Sequence, residues 1–158
     1  MKKSSAQERV KRAIMGDAAI IGTMAKIIKE KYGNEGLEAI RDGLEKSFPS
    51  LMKRLAKEAG VKTGDGTIAD WAKLEKLICS VSGMEFLTEV TPTRGSVKIT
   101  YCPMATQYQR TSPDLCRMMF IGIERAIAST INPRMKVHGA RYIPDGDEYC
   151  EIICELKD

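Results

Sequence analysis

The chain is expected to fold as an α+β domain, with a helical N-terminal half packed on a four-stranded antiparallel sheet built as ββαββ. Three observations predict this. Apolar residues recur at three- and four-residue spacing through about residue 82. After Gly83 the period drops to two. One strongly amphipathic helix then separates two pairs of strands, each pair joined by turn-forming residues.

Residues 5–31 carry Val10, Ile14, Ala18, Ile21, Met24 and Ile28 at helical spacing, and Gly33 follows a lysine-rich last turn as a stop. Asn34 is placed to cap a second helix bearing Leu37, Ile40, Leu44 and Phe48. Pro49 kinks or splits it before Leu51 to Ala56 resumes the pattern. Gly60 and the run Lys62-Thr63-Gly64-Asp65-Gly66 form a loop, and Thr67 caps a third helix through Trp71, Leu74, Leu77 and Ile78. Strands are expected over 84–91 and 96–102, around the turn Pro92-Thr93-Arg94-Gly95. In the second of them Val97, Ile99 and Tyr101 face one way, and Lys98, Thr100 and Cys102 the other. Residues 104–111 read as a loop. A helix over 112–131 starts with Ser112 as N-cap and Pro113 at its first position, buries Cys116, Phe120, Ile123 and Ile127, and stops at Asn132-Pro133. Strands 135–143 and 148–156 flank Pro144-Asp145-Gly146-Asp147.

At 158 residues the chain is one domain long enough to bury a core, with a helical portion over 1–82 and the ββαββ portion over 83–158. No apolar run is long enough to span a bilayer, and the basic N-terminus lacks the apolar stretch of a signal peptide, so a cytoplasmic setting is expected. Residues 1–62 hold 14 Lys/Arg against 8 Asp/Glu, a net +6, while residues 63–158 hold 11 against 13, a net −2. This excess is weaker and more scattered than in nucleic-acid binders, and no helix-turn-helix pattern accompanies it. A DNA-binding regulator therefore ranks last. The long amphipathic helices suit pairing in a homodimer.

The candidate chemistry lies in the last third. Cys116, in the first turn of its helix, is exposed to the positive end of the helix dipole, which favours a reactive thiolate. It also begins the apolar stripe of that helix, so burial in the core competes evenly with reactivity. Cys102 precedes Pro103 at a strand end, where loops border pockets. Cys150 lies beside a turn, near the sheet edge. Cys154 shares a strand face with Cys150, but four residues of strand separate the two by about 13 Å, too far for a disulfide. Cys154 and Cys79 read as core. His138 is the single histidine and alone has an ordinary pKa suited to a general base near neutrality. Glu124 lies two turns beyond Cys116 and about 80° around the helix, at the flank of the stripe and with exposure expected. Phosphate-binding glycine loops, zinc-binding C-x-x-C pairs, H-E-x-x-H and G-x-S-x-G are absent.

The segments Tyr101-Cys102-Pro103-Met104-Ala105, Ser112-Pro113-Asp114-Leu115-Cys116, Ile131-Asn132-Pro133 and Gly146-Asp147-Glu148-Tyr149-Cys150-Glu151-Ile152 resemble, in order and spacing, the C-terminal half of the L-2-amino-thiazoline-4-carboxylate hydrolase family. The likeness covers about residues 84–156. The chain's ending is also similar to the small-molecule-binding 4-vinyl reductase domains. The resemblance implies hydrolytic opening of a thiazoline ring at a carbon–nitrogen bond, with Cys102, Cys116 and Cys150 at the family's cysteine positions. Arg117-Met118-Met119-Phe120 stands where the family leads one to expect an aspartate. Two mechanisms are compatible with it. In one, a Cys116 thiolate attacks the amidine carbon while His138 or Glu124 moves protons. In the other, Cys102, Cys116 and Cys150 hold zinc or iron that activates water. The alternative function is a non-catalytic pocket that binds or senses a small apolar ligand, lined by Tyr101, Met104, Met118, Met119 and Phe120. Either function requires the three thiols to meet at one hollow beside the sheet.

Overall fold

The computed structural model describes residues 5–157. Helix α1 runs over Ala6–Ser47 and opens on a capping box, in which the Ser5 hydroxyl accepts from the Glu8 amide and the Glu8 carboxylate accepts from the Ser5 amide. The expected stop at Gly33 is a break in the helix axis: its φ of 64° leaves the helical region, which only glycine does at little cost, and the helix resumes at once. Pro49 starts α2 (Pro49–Glu58) at the position where its missing amide costs nothing. Thr67 and Asp70 form the capping box of α3 (Ile68–Val81).

The sheet comprises β1 (Glu85–Val90), β2 (Arg94–Tyr101), β3 (Met135–Arg141) and β4 (Cys150–Leu156) in the order β1-β2-β4-β3, antiparallel throughout. Its inner face carries Val97, Ile99, Ile152, Cys154 and Met135, packed with Met52 and Ala56 of α2, Ile68, Trp71 and Leu74 of α3, and Ile127 and Ile131 of the helix that precedes β3. A second buried group joins Ala18, Ala25 and Leu37 of α1 to Tyr108, Leu115, Cys116 and Met119. The predicted ββαββ order and α+β class are the observed ones.

Three local expectations are corrected. Residues 105–111 are not a loop but a short helix, α4 (Ala105–Thr111), because Ala105 and Tyr108, one turn apart, are both buried and give it a packed face. The next helix does not start as a regular α-helix: Cys116–Phe120 form a π-turn that leads into α5 (Ile121–Ile131). Ser112 does not cap it, since its hydroxyl is buried without a hydrogen-bond partner. At the far end of α5, Asn132 donates its side-chain amide to the Gly66 carbonyl and accepts from the Arg134 amide, tying the loop before α3 to the start of β3.

Candidate functional site

Between the inner face of the sheet and the helices α3 and α5 lies a cavity of about 80 Å³. Each wall follows from local structure. Strand alternation turns Ile99 of β2, Gly139 of β3, and Cys150 and Ile152 of β4 inward. Helical spacing brings Glu75, Ile78 and Cys79 from α3, and Phe120, Ile123, Glu124 and Ile127 from the π-turn and α5. Cys116 enters at the head of the π-turn, and π-turns inside helices recur at functional sites.

Cys102, Cys116, Cys150 and Glu124 all line this one cavity. Cys102 was expected on the side of Lys98 and Thr100. Instead β2 ends at Tyr101, and the turn at Pro103, where the Cys102 carbonyl accepts the Ala105 amide, carries the thiol inward. Glu124 is corrected from exposed to buried. His138 is corrected out of the site: alternation along β3 puts it on the outer face, opposite Val137 and Gly139, where it is exposed. Tyr101, Met104, Met118 and Met119, expected to line a ligand pocket, do not line this cavity, whereas Phe120 does.

Burial dominates the electrostatics. It holds the Cys116 thiol well above the ordinary range, with the sulfurs of Cys102 and Cys150 and the Asp145 carboxylate adding to the effect. The helix-dipole argument for a Cys116 thiolate is therefore overturned, because a thiol 7% exposed gains less from the helix terminus than it loses in hydration. Cys102 is likewise raised by burial, against the amides of Met104 and Ala105. Cys150 is half-buried and pushed up to about 11, with the Ile143 amide donating to its sulfur at 3.3 Å and favouring the thiolate. It ionises more readily than Cys79 or Cys116, the more deeply desolvated thiols of the same cavity.

Sequence reasoning missed three residues. Cys79 was assigned to packing but also faces the cavity. Tyr142 reaches the cavity because Gly139 has no side chain: a Cβ there would stand 1.9 Å from the Tyr142 hydroxyl. The third is Glu75, 1% exposed in α3. It hydrogen-bonds with Glu124, and both carboxyls are raised, first by burial; Glu75 is raised further by the charge of Glu124, whose own pKa rises to about 7. A signal for Glu75 was present, since it sits beside Leu74, one turn from Trp71 and Ile78, inside the apolar stripe of α3.

At the rim, Arg117 bonds Asp114 at 3.0 Å and Asp145 at 3.3 Å, and Asp114 also pairs with Lys29 of α1. This outward-facing network ties the π-turn to the Tyr142–Gly146 turn, while Tyr142 donates its amide to Asp147. Arg117 therefore has a structural task where an aspartate was expected. Among the described residues, no three His, Cys, Asp or Glu side chains are grouped to hold a metal ion.

A match to the L-2-amino-thiazoline-4-carboxylic acid hydrolase family extends over residues 8–153, nearly the whole chain. The chain belongs to this family. The match includes the helical half, beyond the segment in which the sequence motifs lie. No curated protein matches this hydrolase-family chain. Among solved structures, the phenol-responsive sensory domain of the transcription activator PoxR, with phenol, is similar at a TM-score of 0.64 and 12% identity, over 88% of this chain and 74% of that one. A trafficking protein particle complex subunit 3 from Naegleria fowleri, covalently bound to palmitic acid, is similar at a TM-score of 0.55 and 12% identity, over 94% of this chain and 97% of that one. At such identities the likeness is one of fold. Among the described residues, no helix is long and apolar enough to cross a membrane.

Proposed function

We propose that this hydrolase-family chain binds a small, mostly apolar molecule in the cavity between sheet and helices. The observation that carries the reading is the lining: isoleucines, Phe120, Met84 and thiols enclose the space, and among the described residues no lysine, arginine or histidine enters it. Apolar enclosure with a few polar groups is the usual character of small-molecule sites. The phenol-bound and palmitate-bound proteins of the same fold support the reading. Titration calorimetry with an uncharged five-membered ring, 2-methyl-2-thiazoline, tests it on wild type and on Ile99→Trp, which fills the space. Binding that disappears in the folded tryptophan variant is the expected result. Equal heats in both proteins would refute the reading.

A second reading, ring-opening hydrolysis, is favoured by the family and by the meeting of Cys102, Cys116 and Cys150 at one cavity. Cys150 is then the readiest nucleophile. Its sulfur adds to the amidine carbon, and the thiol proton passes to a cavity carboxylate. That carboxyl returns the proton to the ring nitrogen, which takes a second proton from the exocyclic amino group as the carbon–nitrogen bond breaks; water then adds across the carbon–nitrogen double bond so formed, and the thiol leaves with the hydroxyl proton. Ring-opening rates in Cys150→Ser and Cys116→Ser test the assignment: a rate unchanged in Cys150→Ser removes Cys150 from the role. The five unpaired cysteines suit a reducing, cytoplasmic setting. Ile20, Met24 and Ile27, spaced by four and three residues, leave an exposed apolar stripe on α1, the face on which two copies would pair. Sedimentation of wild type against Met24→Glu checks that homodimer.

A further inference from the structure

We infer that the Glu75–Glu124 pair is a recognition element for an N–H-donating, cationic head on the bound molecule, so that the preferred ligand is a small cyclic amidine or amine without a carboxylate. The inference rests on the reading of the cavity as a ligand site and names the ligand's class.

The two carboxyls come from separate helices, α3 and α5, and both line the cavity. Both side chains are more than nine-tenths buried, with 1% and 6% exposure. Among the described residues, Glu75 Oε1 and Glu124 Oε2 have no hydrogen-bond partner. Buried oxygens left without a donor are costly, and a ligand that supplies N–H groups removes that cost. An amidine offers donors in one plane, which suits two neighbouring carboxyls. A positive charge on the ligand is matched by ionisation of the pair, which has no cationic residue beside it in the lining.

The same absence of cationic residues disfavours anions. A ligand carboxylate would enter an apolar space beside two acidic groups with no counter-charge, so the electrostatic cost would be large. Size narrows the class further. A cavity of about 80 Å³ is about half the roughly 150 Å³ apolar cavity that holds benzene. It favours a five-membered ring and leaves no space for a long chain.

Calorimetry on the full chain near neutral pH uses 2-amino-2-thiazoline, its equal-sized analogue 2-methyl-2-thiazoline, which lacks N–H groups, and 2-amino-2-thiazoline-4-carboxylate. Wild type is expected to bind the amino compound about tenfold or more tightly than the methyl compound, the scale of a hydrogen bond to a charged group. Glu75→Gln and Glu124→Gln, checked for folding by circular dichroism, should shrink that preference to within about twofold. The carboxylate should bind more weakly than the parent amidine. Equal wild-type affinity for amino and methyl compounds would overturn the inference and leave the apolar site standing. Tighter binding of the carboxylate, or a preference preserved in both glutamine variants, would also overturn it. Failure of both the uncharged and the cationic ring to bind folded wild type would remove the ligand site and this inference together.

Discussion

Replacing Glu124 by glutamine isolates the energetic consequence of a buried acidic pair. In the folded protein burial raises the Glu124 carboxyl from 4.5 to about 7. A tenfold change in proton affinity corresponds to about 1.4 kcal/mol, so keeping this group in the core costs roughly 3 kcal/mol once the unfolded state has ionised. The sign follows from proton counts. Between the unfolded and folded pKa values the folded chain holds a proton that the unfolded chain has lost, so stability falls as pH rises. Below pH 4.5 the stability is fully present, and it is lost progressively toward pH 7. Glu75, raised in the same direction and for the same first cause, extends the loss. Urea denaturation followed by circular dichroism at half-unit steps from pH 5 to 8 measures it. Wild type should lose on the order of 3 kcal/mol over that range, and Glu124→Gln should lose clearly less, with Glu75 supplying the remainder. At the acid end Asp114, lowered by hydrogen bonding to Lys29, acts with the opposite sign and loses its contribution as pH falls. A wild-type stability that is flat or rising from pH 5 to 8 would refute the reasoning.

Other substitutions have separate readouts. Gly139→Ala places a Cβ 1.9 Å from the Tyr142 hydroxyl and must move that ring off the cavity wall, costing about 1–3 kcal/mol in urea denaturation. Alkylation by iodoacetamide, mapped by mass spectrometry over a pH series, should label Cys150 before Cys116, because Cys150 is half-buried and more readily ionised; the reverse order would contradict the site electrostatics. Asp114→Ala removes partners of Lys29 and Arg117 at a partly exposed site and should cost no more than about 1 kcal/mol by the same denaturation. The double variant Glu75→Met, Glu124→Leu should be more stable than wild type near neutral pH, by about 1–4 kcal/mol, with a flattened pH profile.

The fold was legible because its signals are local. Thr67 as a helix cap, Pro49 as the split between helices and the change of period at Gly83 each act within a few residues, and each has its expected effect. The convergence of Cys102, Cys116 and Cys150 was legible as a pattern of segments, although the reason for the inward turn of Cys102, the end of β2 at Tyr101, was not. What escaped was set by tertiary burial. Cys116 looked like a helix-start thiolate because sequence shows the dipole and not the hydrocarbon that outweighs it. His138 looked like a base because its pKa is known from its type, while its face of the sheet depends on register. Glu124 looked exposed because it flanks its own helix's stripe, and only the packing of α3 against α5 shows that Glu75 awaits it there.

Those two carboxyls are also the least economical feature of the core. Each is desolvated, each keeps an unpartnered oxygen, and neither has a basic neighbour in the cavity. Methionine and leucine at the same places would fill similar volumes without the ionisation penalty. Trp71 and Leu74 of α3 and Ile127 and Ile131 of α5 share one buried apolar cluster, so the two helices are packed without relying on the acids alone. Acids that weaken the fold near neutral pH find their use in what they offer a bound molecule. The Cys150 thiol on the facing strand tolerates burial as a neutral group, whereas Glu75 Oε1 and Glu124 Oε2, the oxygens the pair leaves unpartnered, are satisfied when a donor enters. The cavity is therefore uneven in polarity: soft and uncharged toward β4, with its two hydrogen-bond-accepting acids on the α3 and α5 side. A ring that carries its N–H groups on one edge and sulfur or carbon on the other matches both walls at once.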